Sequence, residues 1–153
     1  MDFFENKNVL VAGGAGMIGQ GLVRALIDRG AHVRATQFQN RKITVTHKKL
    51  EVVQCNLFNE GEADDVFKDM EIVFLAAAEI GGAKKIIEDP SSLLMYNLEL
   101  HSKLIHRAAK MGVERCGFIS SSYVYPHTGK PNVEVEGFKD DPWMPLNYGL
   151  GWV

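Results

Sequence analysis

The stretch Val9–Gly19, VLVAGGAGMIG, decides how this chain is read. Val9 to Ala12 form a continuous apolar run, the pattern of a strand covered on both faces. Gly13, Gly16 and Gly19 then follow at three-residue spacing. From Gly16 to Arg29 the periodicity becomes helical, with Ile18, Leu22, Ala25 and Leu26 on one face and Gln20, Arg24 and Asp28 on the other, until Gly30 stops it. A strand, a glycine turn and a helix in succession bring free N–H groups and the positive end of a helix dipole to one place, which suits a phosphate-bearing anion. In such a turn the first glycine permits the tight bend, the second lets a pyrophosphate approach the backbone, and the third lets the helix pack close on the strand. The expectation is a dinucleotide site at Gly13, Gly16, Met17, Ile18 and Gly19, against the alternative of a purely structural turn.

Outward from the turn, strands and helices alternate. A second strand is expected at His32–Phe38 and a third at Leu50–Cys55. Asn59 and Glu62 form a capping pair for a helix that turns Ala63, Val66, Phe67 and Met70 inward. Ile72–Ala77 reads as a fourth, wholly apolar strand. Asp89-Pro90 opens a long helix that Gly112 ends, and Gly117–Ser120 is the fifth strand, followed by a Pro- and Gly-rich stretch from Pro126 to Pro145. This order implies an α/β fold: a Rossmann-type doubly wound parallel sheet of strand order 3-2-1-4-5, with its crevice between strands one and four. One domain is expected over residues 1–153, read as the N-terminal part of a longer protein with its substrate domain missing, because another helix reads as beginning at Gly151-Trp152-Val153.

Composition narrows the partners. With 46% hydrophobic and 24% charged residues and a net charge of -2, the chain is an ordinary globular sequence without the basic excess that nucleic acid or an anionic membrane would select. The apolar run Ile72–Ala78 is too short to span a bilayer, and the acidic start MDFFENKN does not resemble a signal peptide. Cys55 and Cys116, each at a strand end, read as buried thiols, which fits a reducing cytoplasm. The five histidines show no metal-ligand spacing and read as surface or loop residues.

VLVAGGAGMIG, with FLAAAEIGG at residues 74–82, Asn97 in the long helix and FISSSYVYP at residues 118–126, resembles the extended short-chain dehydrogenase/reductases, the nucleotide-sugar epimerase/dehydratase/reductase group. The likeness covers the whole chain, and its AAA-x-x-GG and SS-x-x-YP features are most similar to the branch of GDP-fucose synthases and GDP-mannose epimerases. The resemblance implies an NAD(P) cofactor, a nucleotide-sugar substrate, GDP-linked in preference, and a homodimer. It also implies a Ser/Thr that orients the substrate oxygen and a Tyr whose proton transfer is assisted by a Lys. The serine falls on Ser121, or the three serines there merely satisfy backbone groups. On this reading Ser120 and Ser122 alternate to the other side of the strand.

The tyrosine falls on Tyr148, but Trp152 stands where Y-x-x-x-K places the lysine. A register shift of two matches Gly151-Trp152 to the family's G-W and puts Leu150 at the tyrosine position instead. A catalytically inactive dinucleotide-binding or sensing module is therefore the rival reading, and the chain by itself is expected to be inactive. Asn97 interrupts an apolar stripe of Leu93, Leu100, Leu104, Ala108 and Met111; it steadies loops behind the site in the family, or is a satisfied core amide. Asn56-Leu57 replaces the family's Asp-Leu beside the adenine, and Ala76, Ala77 and Ala78 leave room for the cofactor or simply pack. Gln37 stands at the strand-two end where NAD-specific proteins place an acid, with Arg34, Arg41 and Lys42 nearby, so NADP is expected over NAD unless those charges are only solvated.

Overall fold

The computed structural model describes residues 2–81, 84, 88–126 and 129–137. Five strands form one parallel sheet: β1 (Asn8–Ala12), β2 (His32–Gln37), β3 (Leu50–Gln54), β4 (Ile72–Leu75) and β5 (Arg115–Phe118), in the order β3-β2-β1-β4-β5. Three helices are α1 (Met17–Asp28), α2 (Glu60–Phe67) and α3 (Pro90–Lys110). The expected strand order is the observed one.

Two compact units divide the chain. The first holds Met1–Ala78 and Leu100–Ile119, the second Glu79–Glu99 and Ser120–Val153. In the first unit, β1 is central and Val9 to Ala12 are fully buried. Alternation sends Val9 and Val11 to one face, where they meet Val23 and Leu26 of α1 with Ala31, Val33, Ala35 and Ile72. Leu10 and Ala12 go to the other face, with Val66 and Phe67 of α2 and Leu100, Leu104 and Ala108 of α3. Within the second unit, the described residues include the start of α3, where Asp89 caps by accepting the Ser92 N–H at 3.2 Å.

Several details depart from the sequence reading. The inward positions of α1 are Gly19, Val23 and Leu26, whereas Ile18 and Ala25 are exposed. Gly19 has no side chain to mark a face, yet it is where the helix lies against the backbone of Gly13 and Gly14. Met111, beyond the end of α3, is also exposed. Asn59 does cap α2, accepting the Glu62 N–H at 3.3 Å, but Glu62 reaches past Asn59 to accept the Asn56 N–H at 2.8 Å. β5 begins two residues earlier than expected and ends at Phe118, and Ser122–Val124 is a short 3-10 turn. Ser120, Ser121 and Ser122 therefore do not alternate along a strand. Both cysteines are free thiols, but only Cys55 is buried; Cys116 is exposed because β5 is an edge strand.

Candidate functional site

The turn after β1 is held by contacts that explain three of its four glycines. Gly13 has φ +92°, and a Cβ there would lie 2.5 Å from the Ala77 nitrogen. A Cβ on Gly14 would lie 2.8 Å from the Ala35 Cβ, and one on Gly19 only 2.2 Å from the Gly13 carbonyl oxygen. Gly16 differs. Its φ is -72°, open to any residue, and a Cβ there would meet only the Gly13 oxygen at 3.5 Å. Among the described residues, packing gives no reason for glycine at position 16. A ligand lying against the backbone would give one, since a Cβ would fill its place.

Gly16 also begins α1, and no side chain caps that helix end. No acid lies in the first turn, so the positive end of the helix dipole is not neutralised locally. Gly16 N–H donates to the Gly13 carbonyl at 3.2 Å and Gln20 N–H to the Gly16 carbonyl at 2.9 Å. Met17 is 90% exposed and Ile18 is also exposed. This is the arrangement that accepts a pyrophosphate on backbone N–H groups, and the residues present fit a dinucleotide.

Two positions that sequence reasoning missed brace the turn. Thr36 of β2 is buried and its hydroxyl accepts the Gly13 N–H at 2.8 Å. The segment after β2 folds back, with Ile43 packed on the α1-side core and the Gln20 side-chain oxygen accepting from the Thr44 hydroxyl at 2.7 Å. Neither feature carries a periodic signal. A threonine inside a strand reads as an ordinary β-former.

The expected site residues fall in different surroundings. Gln37 spends its side-chain oxygen on the Ile43 N–H at 3.0 Å, and its amide lies 3.4 Å from the Gln54 oxygen. Arg41 and Lys42 are exposed. Arg34 points elsewhere: it bonds Glu51 at 2.7 Å and donates to the carbonyls of Asp65, Val66 and Lys68, the unsatisfied end of α2. It is therefore committed to the fold and is withdrawn from the expected 2′-phosphate group. Asn56 accepts the Phe58 N–H at 3.1 Å, and the Leu57 side chain lies in the core. Next to them, burial foremost and then Glu62 push the Cys55 thiol up to about 11, leaving it inert.

Past β4, Ala76 N–H still bonds the Ala12 carbonyl at 2.8 Å, extending the ladder by one residue. The Ala77 carbonyl lies 2.9 Å from His101 Nε2, and Ala78 is exposed. His101 is 9% exposed, so it is no surface histidine: it lies four residues past Asn97 on the inward face of α3. Within the second unit, Asn97 accepts the Glu79 N–H at 2.8 Å and donates to the Glu79 and Leu93 carbonyls, both at 3.0 Å. Its amide is fully used. Ser121 is half-buried and its carbonyl accepts the Val124 N–H at 3.3 Å. Tyr148 and Trp152 lie outside the described residues.

The chain is similar in sequence and in fold to known proteins. The chain is 28% identical over 145 residues to a putative GDP-L-fucose synthase 2 of Arabidopsis thaliana, covering 94% of this chain and 40% of that protein. It is 32% identical over 123 residues to a 3 beta-hydroxysteroid dehydrogenase/Delta 5-->4-isomerase of Mycobacterium tuberculosis, covering 78% of this chain and 33% of that protein. The solved structure of MoeE5 in complex with UDP-glucose and NAD superposes with a TM-score of 0.74 at 29% identity, over 95% of this chain and 45% of that one. The chain thus spans less than half the length of each of these proteins. Among the described residues, no helix is long and apolar enough to cross a membrane. The turn, the parallel sheet and the match of residues 9–148 agree, and the chain belongs to the NAD dependent epimerase/dehydratase family.

Proposed function

We propose that this chain is the cofactor-binding part of an NAD(P)-dependent nucleotide-sugar epimerase, dehydratase or reductase. Gly16 carries the reading, because no contact among the described residues requires its missing side chain, whereas a ligand on the backbone would. The N–H groups at the start of α1, from Met17, Ile18 and Gly19, hold the pyrophosphate, and Gly13 and Gly16 shape the turn against which it lies. Asn56, Leu57, Ala76, Ala77 and Ala78 flank the rest, with Asn97 steadying the loop at Glu79. The bound dinucleotide supplies the hydride chemistry. Ser121 orients the reacting oxygen of the sugar and Tyr148 moves a proton at its phenol oxygen. GDP-linked substrates are favoured by the likeness to the Arabidopsis GDP-L-fucose synthase. A homodimer in the cytoplasm belongs to the same reading.

NADP(H) is preferred over NAD(H) in this proposal, since Gln37 is uncharged and the exposed Arg41 and Lys42 follow β2, where a 2′-phosphate would arrive. Titration of the chain with both cofactors tests it. Tighter NADP(H) binding that Arg41→Ala weakens supports the proposal. Tighter NAD(H) binding, indifferent to Arg41→Ala, removes the NADP preference, and no binding of either removes the site. A second reading, an inactive dinucleotide-binding or sensing module, is favoured by Trp152 at the lysine position. Sustained turnover of a GDP- or UDP-linked keto-sugar with NADPH, dependent on Ser121 and Tyr148, excludes it.

A further inference from the structure

His101 presents a problem in hydrogen bonding. Its Nε2 lies 2.9 Å from the Ala77 carbonyl, and its Nδ1 is buried with no hydrogen-bond partner among the described residues. A carbonyl can only accept, so Nε2 carries a proton and donates it. A second proton on Nδ1 would be a buried donor without an acceptor, so the neutral Nε2–H tautomer fits the surroundings. The ring stands edge-on to Phe118 of β5, with centroids 4.8 Å apart and planes at 87°. Its plane is fixed by packing and its single bond is aimed at one peptide.

That peptide bears on the glycine turn. Ala77 is two residues past β4, beyond the last ladder bond from Ala76 to Ala12. Its nitrogen and Cα occupy the space that a Cβ on Gly13 would need, at 2.5 and 2.6 Å. Backbone lies directly on backbone there, so a small shift of Ala77 would press on or release Gly13. An apolar side chain would fill the His101 site and remove the unpartnered Nδ1, but it would leave the Ala77 carbonyl without this donor, so the imidazole's distinct contribution is the N–H at Nε2.

We propose that His101 is a positioning residue for the dinucleotide site: its Nε2–H holds the Ala77 carbonyl so that the end of β4 is a fixed wall behind the Gly13 turn. It touches no cofactor itself and acts through Ala77. The inference rests on the dinucleotide reading, and its test is arranged to tell the two apart.

Long-range 1H–15N spectra of the histidine rings report the tautomer of His101 in the unaltered chain, and amide spectra report Ala77, Ala78 and Gly13. Fluorescence titration with NADPH is then compared for the unaltered chain, His101→Gln, whose amide can still donate, and His101→Leu, which cannot. We expect the Nε2–H tautomer, and for His101→Leu a folded protein with shifted Gly13 and Ala77 amides. We expect NADPH to bind about tenfold more weakly to His101→Leu, with His101→Gln within about threefold of the unaltered chain, as the loss and retention of one hydrogen bond imply. An Nδ1–H tautomer overturns the proposal even if neither variant folds. So does a His101→Leu chain that binds as the unaltered one does, or equal weakening by both substitutions, which would mean that the ring only fills space. If the unaltered chain binds no dinucleotide, the functional reading fails, while the tautomer and the Gly13 shift still decide whether His101 holds the turn.

Discussion

The hydroxyl of Thr36 accepts the backbone N–H of Gly13 at 2.8 Å, joining β2 to the glycine turn across 23 residues of sequence. The bond takes up the first N–H of the turn, the Gly13 carbonyl takes up the Gly16 N–H, and a ligand would be met by the N–H groups at the start of α1. Thr36→Val keeps the shape and removes the acceptor, leaving a partly buried donor unpaired at a cost of about 1–3 kcal/mol. Thermal unfolding should register that loss, and dinucleotide affinity should fall with it. Thr36→Ser, which keeps the hydroxyl, should recover most of both. Equal behaviour of the valine and serine variants would show that the hydroxyl is unimportant.

Acid and alkali should each weaken one pair at the start of β1. Lys7 Nζ bonds Glu71 at 2.5 Å, and the other Glu71 oxygen accepts the Asn8 N–H at 2.8 Å. The lysine bond first, then the Asn8 N–H, hold the Glu71 carboxyl below its ordinary value of 4.5. Its contribution is therefore present above that value and lost as pH falls through the lower, folded one. Lys7 moves the opposite way, raised above its ordinary 10.5 chiefly by the bond to Glu71. That contribution is complete below 10.5 and disappears as pH rises through the raised value. Melting temperature against pH should decline at both ends in the unaltered chain. In Lys7→Met the alkaline decline should shrink and the acid one move toward the ordinary carboxylate range; an unchanged profile would show that the pair contributes nothing.

The sheet was legible because its central strands are apolar without interruption, and Val9–Ala12 and Ile72–Leu75 can only be covered on both faces. The edge was harder. Arg115 and Cys116 are exposed on β5, so the apolar pattern starts late there and the expected strand slid toward Ser120. The glycine turn was visible as spacing, but its braces were not. Thr36 acts through one hydroxyl, Gly14 through fit against Ala35, and Ile43 through a chain reversal without period. His101 was misread as a surface or loop histidine although it lies one helical turn from Asn97, on the stripe already recognised as buried.

Asn97→Leu separates a loop anchor from a core filler. The substitution continues the apolar stripe of α3 but leaves the Glu79 N–H, the Glu79 carbonyl and the Leu93 carbonyl without this side chain. Each group that stays buried and unpaired costs about 1–3 kcal/mol, while those that reach water cost little. We expect a folded protein whose amide exchange speeds up around Glu79 and whose handling of dinucleotide changes more than its melting temperature does. Outright unfolding, or wild-type binding in every assay, would remove Asn97 from the functional reading.

Gly16 and Gly19 should respond in opposite ways to the same added methyl group. At position 19 a Cβ would meet the Gly13 oxygen at 2.2 Å and the Gly14 Cα at 2.8 Å, both backbone, so α1 must move off the turn. Overpacking of this kind costs about 1–3 kcal/mol, and sometimes more, so Gly19→Ala should unfold at lower temperature whether or not cofactor is present. At position 16 the backbone is already in a conformation open to alanine and the nearest atom is 3.5 Å away, so the folded protein has room. Gly16→Ala should therefore keep its stability within about 0.5 kcal/mol. What it should lose is the approach of a phosphate to the N–H groups at the start of α1. Hydrogen bonds to a charged group are worth about 1.5–3 kcal/mol, which corresponds to a loss of affinity of about ten- to a hundredfold. Calorimetric unfolding of the two variants, paired with NADPH titration, checks both halves at once. A destabilised Gly16→Ala would mean that this glycine serves the fold; a stable one that still binds NADPH normally would mean that the pyrophosphate lies elsewhere.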